Sequence, residues 1–251
     1  MMTAPLMRIP TVALAALVVT VTHARAQAPA PEPPKIWTVA ASAGYALTSG
    51  NSDTSSFNLG YDLAYDPHRR NIVKSDALVI RGKNEGELTT NRIGINVRDE
   101  YKLSARVFVF GQNQYLRDEF KSIDYLLAPT GGVGYKIFDT DATKLGVDAS
   151  AGAVWEKNPG LDVDTSGALA LGQKLTQRLT GTATLTQTFS GLWKTKAFDD
   201  ALYTAGVSLA ASMSTRTQLK VEVLDTFKNR PPSADIQKND IAVLMAIVYK
   251  I

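Results

Sequence analysis

Residues 240–251 read DIAVLMAIVYKI, and alternate positions separate them into two unlike sets. One set is Ile241, Val243, Met245, Ile247, Tyr249 and Ile251; the other is Asp240, Ala242, Leu244, Ala246, Val248 and Lys250. Strand side chains alternate between faces with a period of two. The stretch is therefore a strand with one continuously apolar face and one that is small in the middle and charged at both ends. In a soluble sheet it would pack on a core. At the end of the chain, with an aromatic beside the last residue, it reads as the closing strand of an outer-membrane barrel. The expected fold is all-β: a closed, antiparallel, up-and-down transmembrane β-barrel of about twelve strands.

The rest of the sequence fits that expectation from Trp37 onward. Residues 37–48 place Trp37, Val39, Ala41, Ala43, Tyr45 and Leu47 on one face. Residues 55–65 place Phe57, Leu59, Tyr61, Leu63 and Tyr65 opposite Ser56, Asn58, Gly60, Asp62 and Ala64. Residues 92–103, 144–156 and 179–190 repeat the pattern, the last with Thr180, Thr182, Thr184, Thr186 and Thr188 on its polar side. A helix would need apolar residues at i, i+3, i+4 and i+7, which these segments lack. Residues 71–83 and 106–117 have mixed faces, and Arg81, Asp99 and Asp225 interrupt otherwise apolar sides. A charge facing lipid near the midplane costs about 2–4 kcal/mol, less near an interface. Bulges or interface positions are expected at those three.

Connections are expected to alternate in length. Tight turns centre on Pro67, Ser104, Asp139-Thr140-Asp141, Thr176 and Ser214, and most lead into a basic residue: Arg70, Arg106, Lys144, Arg178, Arg216. Longer polar loops are expected at 49–54, 83–91, 117–124, 157–165, 191–200 and 229–238. An even strand count with short turns on one side matches an outer-membrane barrel with both ends in the periplasm. A soluble β-sandwich also alternates. Three features favour the membrane: charges on the small-residue faces, which a soluble core buries only at a cost; aromatics near strand ends (Trp37, Tyr65, Tyr101, Tyr135, Trp155, Phe227, Tyr249); and closure, which removes exposed sheet edges.

The 251-residue chain has 27 basic and 24 acidic residues, interspersed, so no nucleic-acid partner is indicated. It has no cysteine, which excludes disulfides and cysteine-ligated zinc. Residues 1–26 carry Arg8, an apolar run over 12–21 and the small-residue site Ala24-Arg25-Ala26. That is the layout of a secretory signal peptide, too short in its apolar run to be a membrane anchor. Three segments follow: the signal peptide (1–26), a proline-rich periplasmic leader (27–36) and the barrel (37–251).

Several stretches resemble the salt-induced outer membrane protein family, a Gram-negative barrel family of unknown function. The most specific is Leu47-Thr48-Ser49-Gly50-Asn51-Ser52-Asp53-Thr54 after the Trp37 strand. Supporting it are Thr89-Thr90-Asn91-Arg92, Phe108 to Gly111, Tyr115, Arg117-Asp118, Phe120, Gly131 to Tyr135, and Asp139-Thr140-Asp141. The similarity spans residues 37–251. It implies outer-membrane location and architecture, and no catalytic residues. Such barrels usually end in phenylalanine; here Ile251 follows Tyr249 and Lys250.

No reaction chemistry is legible. His68 lies in an expected periplasmic turn, away from any serine pocket. The acidic pairs Asp162/Asp164, Asp199/Asp200 and Asp139/Asp141 lack the six to eight oxygens that calcium prefers. Gly131-Gly132-Val133-Gly134 precedes no helix and is no phosphate loop. No enzyme activity, cofactor or metal is expected. The functional candidates are the charges of the lumen face: Asp62, Lys74, Asp76, Arg98, Glu100, Lys102, Lys136, Asp148, Glu156, Lys174, Lys220 and Glu222, with Lys250 at the last strand's end. They make either a salt-bridge network that stiffens the interior or a polar passage for small solutes. The expected role is a narrow small-solute pore or envelope component under salt stress; the alternative is a non-conducting structural or adhesion barrel with binding loops. Expected partners are outer-membrane lipid and lipopolysaccharide, and the barrel-assembly machinery through the last strand.

Overall fold

The computed structural model describes residues 35–48 and 54–251. The signal peptide, all but the last two leader residues, and residues 49–53 of the most specific family-like stretch lie outside that range. From Trp37 the chain forms twelve strands: β1 (Trp37–Thr48), β2 (Thr54–Tyr65), β3 (Asn71–Asn84), β4 (Glu87–Lys102), β5 (Val107–Asp118), β6 (Ile123–Asp139), β7 (Thr143–Lys157), β8 (Asp164–Arg178), β9 (Ala183–Lys194), β10 (Ala197–Ser212), β11 (Thr217–Lys228) and β12 (Asn239–Lys250). Each pairs antiparallel with its sequence neighbours, and β12 pairs with β1 to close the barrel. Closure gives every strand a partner on both sides, the condition for β-structure in hydrocarbon, with the seam between β1 and β12 paired over Ala40–Ala43.

The apolar sets face outward. Ile241, Val243 and Met245 of β12 are 65%, 64% and 55% exposed, while Leu244, Ala246 and Val248 between them are buried. A soluble protein would not leave such a belt wet. Aromatics gather on the outside: Trp37 packs on Tyr65 at 4.5 Å where β1 starts and β2 ends, and Tyr203 lies beside Phe189, Trp193 and Phe227.

One rim carries β1's start, β12's end and five short turns; it is called the terminal rim. Its turns reuse one device. The hydroxyls of Ser104, Thr180 and Ser214 each accept N–H bonds from residues two and three ahead, Thr140 accepts from Thr143, and Asp66 accepts from His68. Such side-chain turns are why Ser, Thr and Asp recur there. His68 is exposed in this turn with a φ of 56°.

At the opposite, far rim the expected loop lengths are partly wrong. The segments 83–91 and 191–200 are almost wholly strand, joined by Glu85-Gly86 and Thr195-Lys196 alone. Glu85 and Gly86 both have positive φ (52° and 85°), the signature of a two-residue hairpin turn whose twist suits the strands. Polar composition there marks the ends of long strands rising above the apolar belt, not loops. The 229–238 connection is long as expected, and 119–121 forms one 3-10 turn capped by the Asp118 carboxylate.

Of the three outward charges, Arg81 sits beside a register shift between Gly82 and Lys83. Asp99 and Asp225 occur in unbroken register, each three residues from a strand end. Asp225 keeps one carboxylate oxygen covered and without a hydrogen-bond partner.

Candidate functional site: a lumen closed at one end

The inward faces divide the lumen into two zones. The zone nearer the terminal rim is wet. It holds two adjoining cavities of about 580 and 550 Å³ that share Asp76, Asn96, Gln114 and Lys174. Ten of the twelve charges expected in the lumen line them: Asp62, Asp76, Lys174, Lys220 and Glu222 the first, and Lys74, Asp76, Arg98, Glu100, Lys136, Asp148 and Lys174 the second. Lys250 reaches the first at the rim.

Most of these charges are paired. Glu100 takes Lys74 Nζ at 2.8 Å and Arg98 Nε at 2.9 Å, and Arg98 Nη2 reaches Asp148 at 3.1 Å. The Arg98 guanidinium also lies over the Phe110 ring, 3.5 Å from its centre, an additional cation–π contact. Phe108 beside it fills the space that a side chain at Gly134 would need, so the inward glycine of the 131–134 run makes room for a ring. Lys220 pairs with Glu222 at 2.7 Å and Lys136 with Asp139 at 2.7 Å.

Two expected lumen residues lie elsewhere. Lys102 pairs with Asp66 at 3.5 Å on the terminal rim. Glu156 is 1% exposed in the far zone, and lines neither cavity.

That far zone is packed. Leu116, Ile123, Leu126, Ala128, Val154, Ala168, Leu192 and Leu202 form one buried cluster inside the barrel, and Ile80, Leu224 and Leu244 form a second on the other wall. Arg92 of β4 reaches across to donate to the Thr226 hydroxyl of β11, and lies 3.9 Å from Asp118. Around these clusters lies a lattice of charges. Glu156 receives Lys228 at 2.7 Å and Lys194 at 3.0 Å; Lys194 also meets Asp200 at 2.7 Å and Asp164 at 2.8 Å. Asn158 donates to Glu156 and to the Ser122 carbonyl. Lys121, with no exposed surface, donates to the Gln237 carbonyl and pairs with Asp240 at 2.8 Å. The loop between β5 and β6 and the loop between β11 and β12 stand on opposite sides of a twelve-strand ring. The Lys121 bonds therefore span the mouth.

Sequence reasoning missed Arg92, Lys121, Lys194 and Lys228. A signal was present: Tyr115-Leu116, Leu126-Leu127-Ala128, Val154-Trp155, Leu192-Trp193 and Leu202-Tyr203 are apolar on both faces near the far ends of their strands. Alternation fails where inside and outside are both dry.

Residues 41–251 match the family described as a protein of unknown function, DUF481. The chain belongs to the DUF481 family. No curated protein matches it. Among solved structures, the DUF481 barrel is similar to the NanC porin, with a TM-score of 0.51 at 10% identity, covering 84% of this chain and 98% of the porin. It is also similar to the COG4313 outer membrane channel from Pseudomonas putida F1, with a TM-score of 0.50 at 12% identity, covering 87% of this chain and 96% of the channel. At such identities the likeness is one of fold: the DUF481 chain has the closed barrel architecture of outer-membrane porins and channels.

Proposed function

We propose that this protein is an outer-membrane barrel of a Gram-negative bacterium that forms a narrow passage for small polar solutes, held shut at its far end in the conformation described. The observation that carries the reading is the pair of adjoining polar cavities running from the terminal rim to the level of Arg92, Leu116 and Leu224. A barrel with a purely structural task gains nothing from leaving that volume unfilled, since voids forfeit packing. Export through residues 1–26, contact with lipid and lipopolysaccharide along the apolar belt, and insertion by the assembly machinery through β12 belong to the same reading. A role under salt stress rests on the resemblance of 47–54 and its companion stretches alone, and induction of the protein by sodium chloride tests it.

The packed far zone favours a second reading, a non-conducting barrel whose far loops bind a ligand. Single-channel recording separates the two. The expected result is small, infrequent conductance steps for the natural protein and more frequent ones for Arg92→Ala, which removes one of the contacts that cross the lumen. No steps from either protein, with both folded by circular dichroism and heat-shifted gel mobility, would leave the non-conducting reading standing.

A further inference from the structure

Among the described lumen charges lining the first cavity away from the rim, Asp62, Asp76 and Lys174 have no ion-pair partner, whereas their neighbours Lys220 and Glu222 pair with each other. Asp62 of β2 and Asp76 of β3 are direct cross-strand neighbours with both side chains inward. Two like charges so placed repel unless something cationic relieves them. Among the described residues, the Asn96 amide is the one hydrogen-bond partner of Asp76, donating to it at 2.9 Å. Lys174 stands on β8, six strands from β2 and so on the diametrically opposite wall. Its register partner on β9 is Thr188, and Thr186 and Thr204 extend a wall of hydroxyls along the same cavity. The cavity thus presents two carboxylates on one side and, from the opposite wall, an ammonium with hydroxyls, with no ion pair formed between them among the described residues.

We propose that this gap is a binding site for a small zwitterionic solute of the amino-acid class. Its ammonium group lies against Asp62 and Asp76, and its carboxylate accepts from Lys174 and from the hydroxyls of Thr188 and Thr186. Either half of the site alone would take a simple cation or anion. The two halves face each other across a polar space of about 580 Å³, so a molecule carrying both charges satisfies both walls at once. Selectivity against monofunctional solutes comes from engaging both walls at once, since a molecule with one charge satisfies only one of them. The inference rests on reading the lumen as a solute passage, but binding requires no conduction, so the two can fail separately.

The test is ligand-observed NMR on the folded full-length barrel in detergent, using L-alanine, propionate and n-propylamine as probes. L-alanine is expected to bind saturably, with the two monofunctional probes at least tenfold weaker. Lys174→Met and the double variant Asp62→Asn/Asp76→Asn are each expected to weaken L-alanine binding at least tenfold, while Arg230→Ala at the far rim leaves it unchanged. Circular dichroism and heat-shifted mobility check that each variant is folded. Equal affinity for propionate and L-alanine would reduce the site to an anion site, and equal affinity for n-propylamine to a cation site. Either result overturns the proposal, as would the absence of saturable L-alanine binding or its persistence in both lumen variants.

Discussion

The far and near zones of the lumen are built from the same twelve strands and filled on opposite principles. Far from the termini the inward residues are leucines, alanines, valine and isoleucine, ringed by a lattice in which Glu156, Lys194, Lys228 and Asp200 each touch two or more partners. Nearer the termini they are threonines, serines and amides, the chain Lys74–Glu100–Arg98–Asp148 and the single pairs Lys220–Glu222 and Lys136–Asp139, around open volume. Barrel geometry sets the room available but not its content, because strand pairing is indifferent to what the inward side chains are. The far zone behaves as the core of a soluble protein would; the near zone behaves as a solvated surface folded inward. One consequence is that the two zones should answer differently to the same kind of substitution.

The sharpest break in that contrast is a charge deleted from the far lattice. Lys228→Met leaves Glu156 and Asp200 facing each other with less compensation, and should destabilise the barrel by about 3–5 kcal/mol. Denaturant unfolding in lipid vesicles measures it. Adding Glu156→Gln should restore part of the loss, since the orphaned charge rather than the missing bond carries most of the cost. Next in size is Leu126→Ala, which opens a void in a packed cluster and should cost about 2–5 kcal/mol by the same assay. A loss under 1 kcal/mol there would mean the far zone is looser than a core. In the near zone, Lys220→Met removes one member of a partly exposed pair and should change stability by less than about 1 kcal/mol. A large effect would mean that the near zone, too, is held together by its charges.

The legibility of these features in the sequence follows the same division. β12 could be read from DIAVLMAIVYKI because hydrocarbon on one side and a small-residue interior on the other keep the period of two clean. The near-zone charges Asp62, Arg98 and Lys174 were legible for the same reason, each lying opposite a largely apolar set, whereas Asp76 falls in the mixed-face stretch 71–83. Glu156 is buried inside the barrel, and its neighbourhood was not legible in the sequence because its partners Lys194 and Lys228 lie 38 and 72 residues away. The strand ends within 83–91 and 191–200 read as loops because, outside Leu192-Trp193, they are dense in polar residues on both faces.

Sequence alone determined the all-β class and the outward apolar belt, which follow from alternation along single strands, and a count of about twelve strands, which follows from the turns between them. Only the tertiary structure decided that the lumen is closed at one end and open in volume at the other. That outcome depends on which inward residues of β4, β7, β9 and β11 meet at the same height across the barrel. Height is set by strand stagger and closure, quantities that belong to all twelve strands together and to none of them singly.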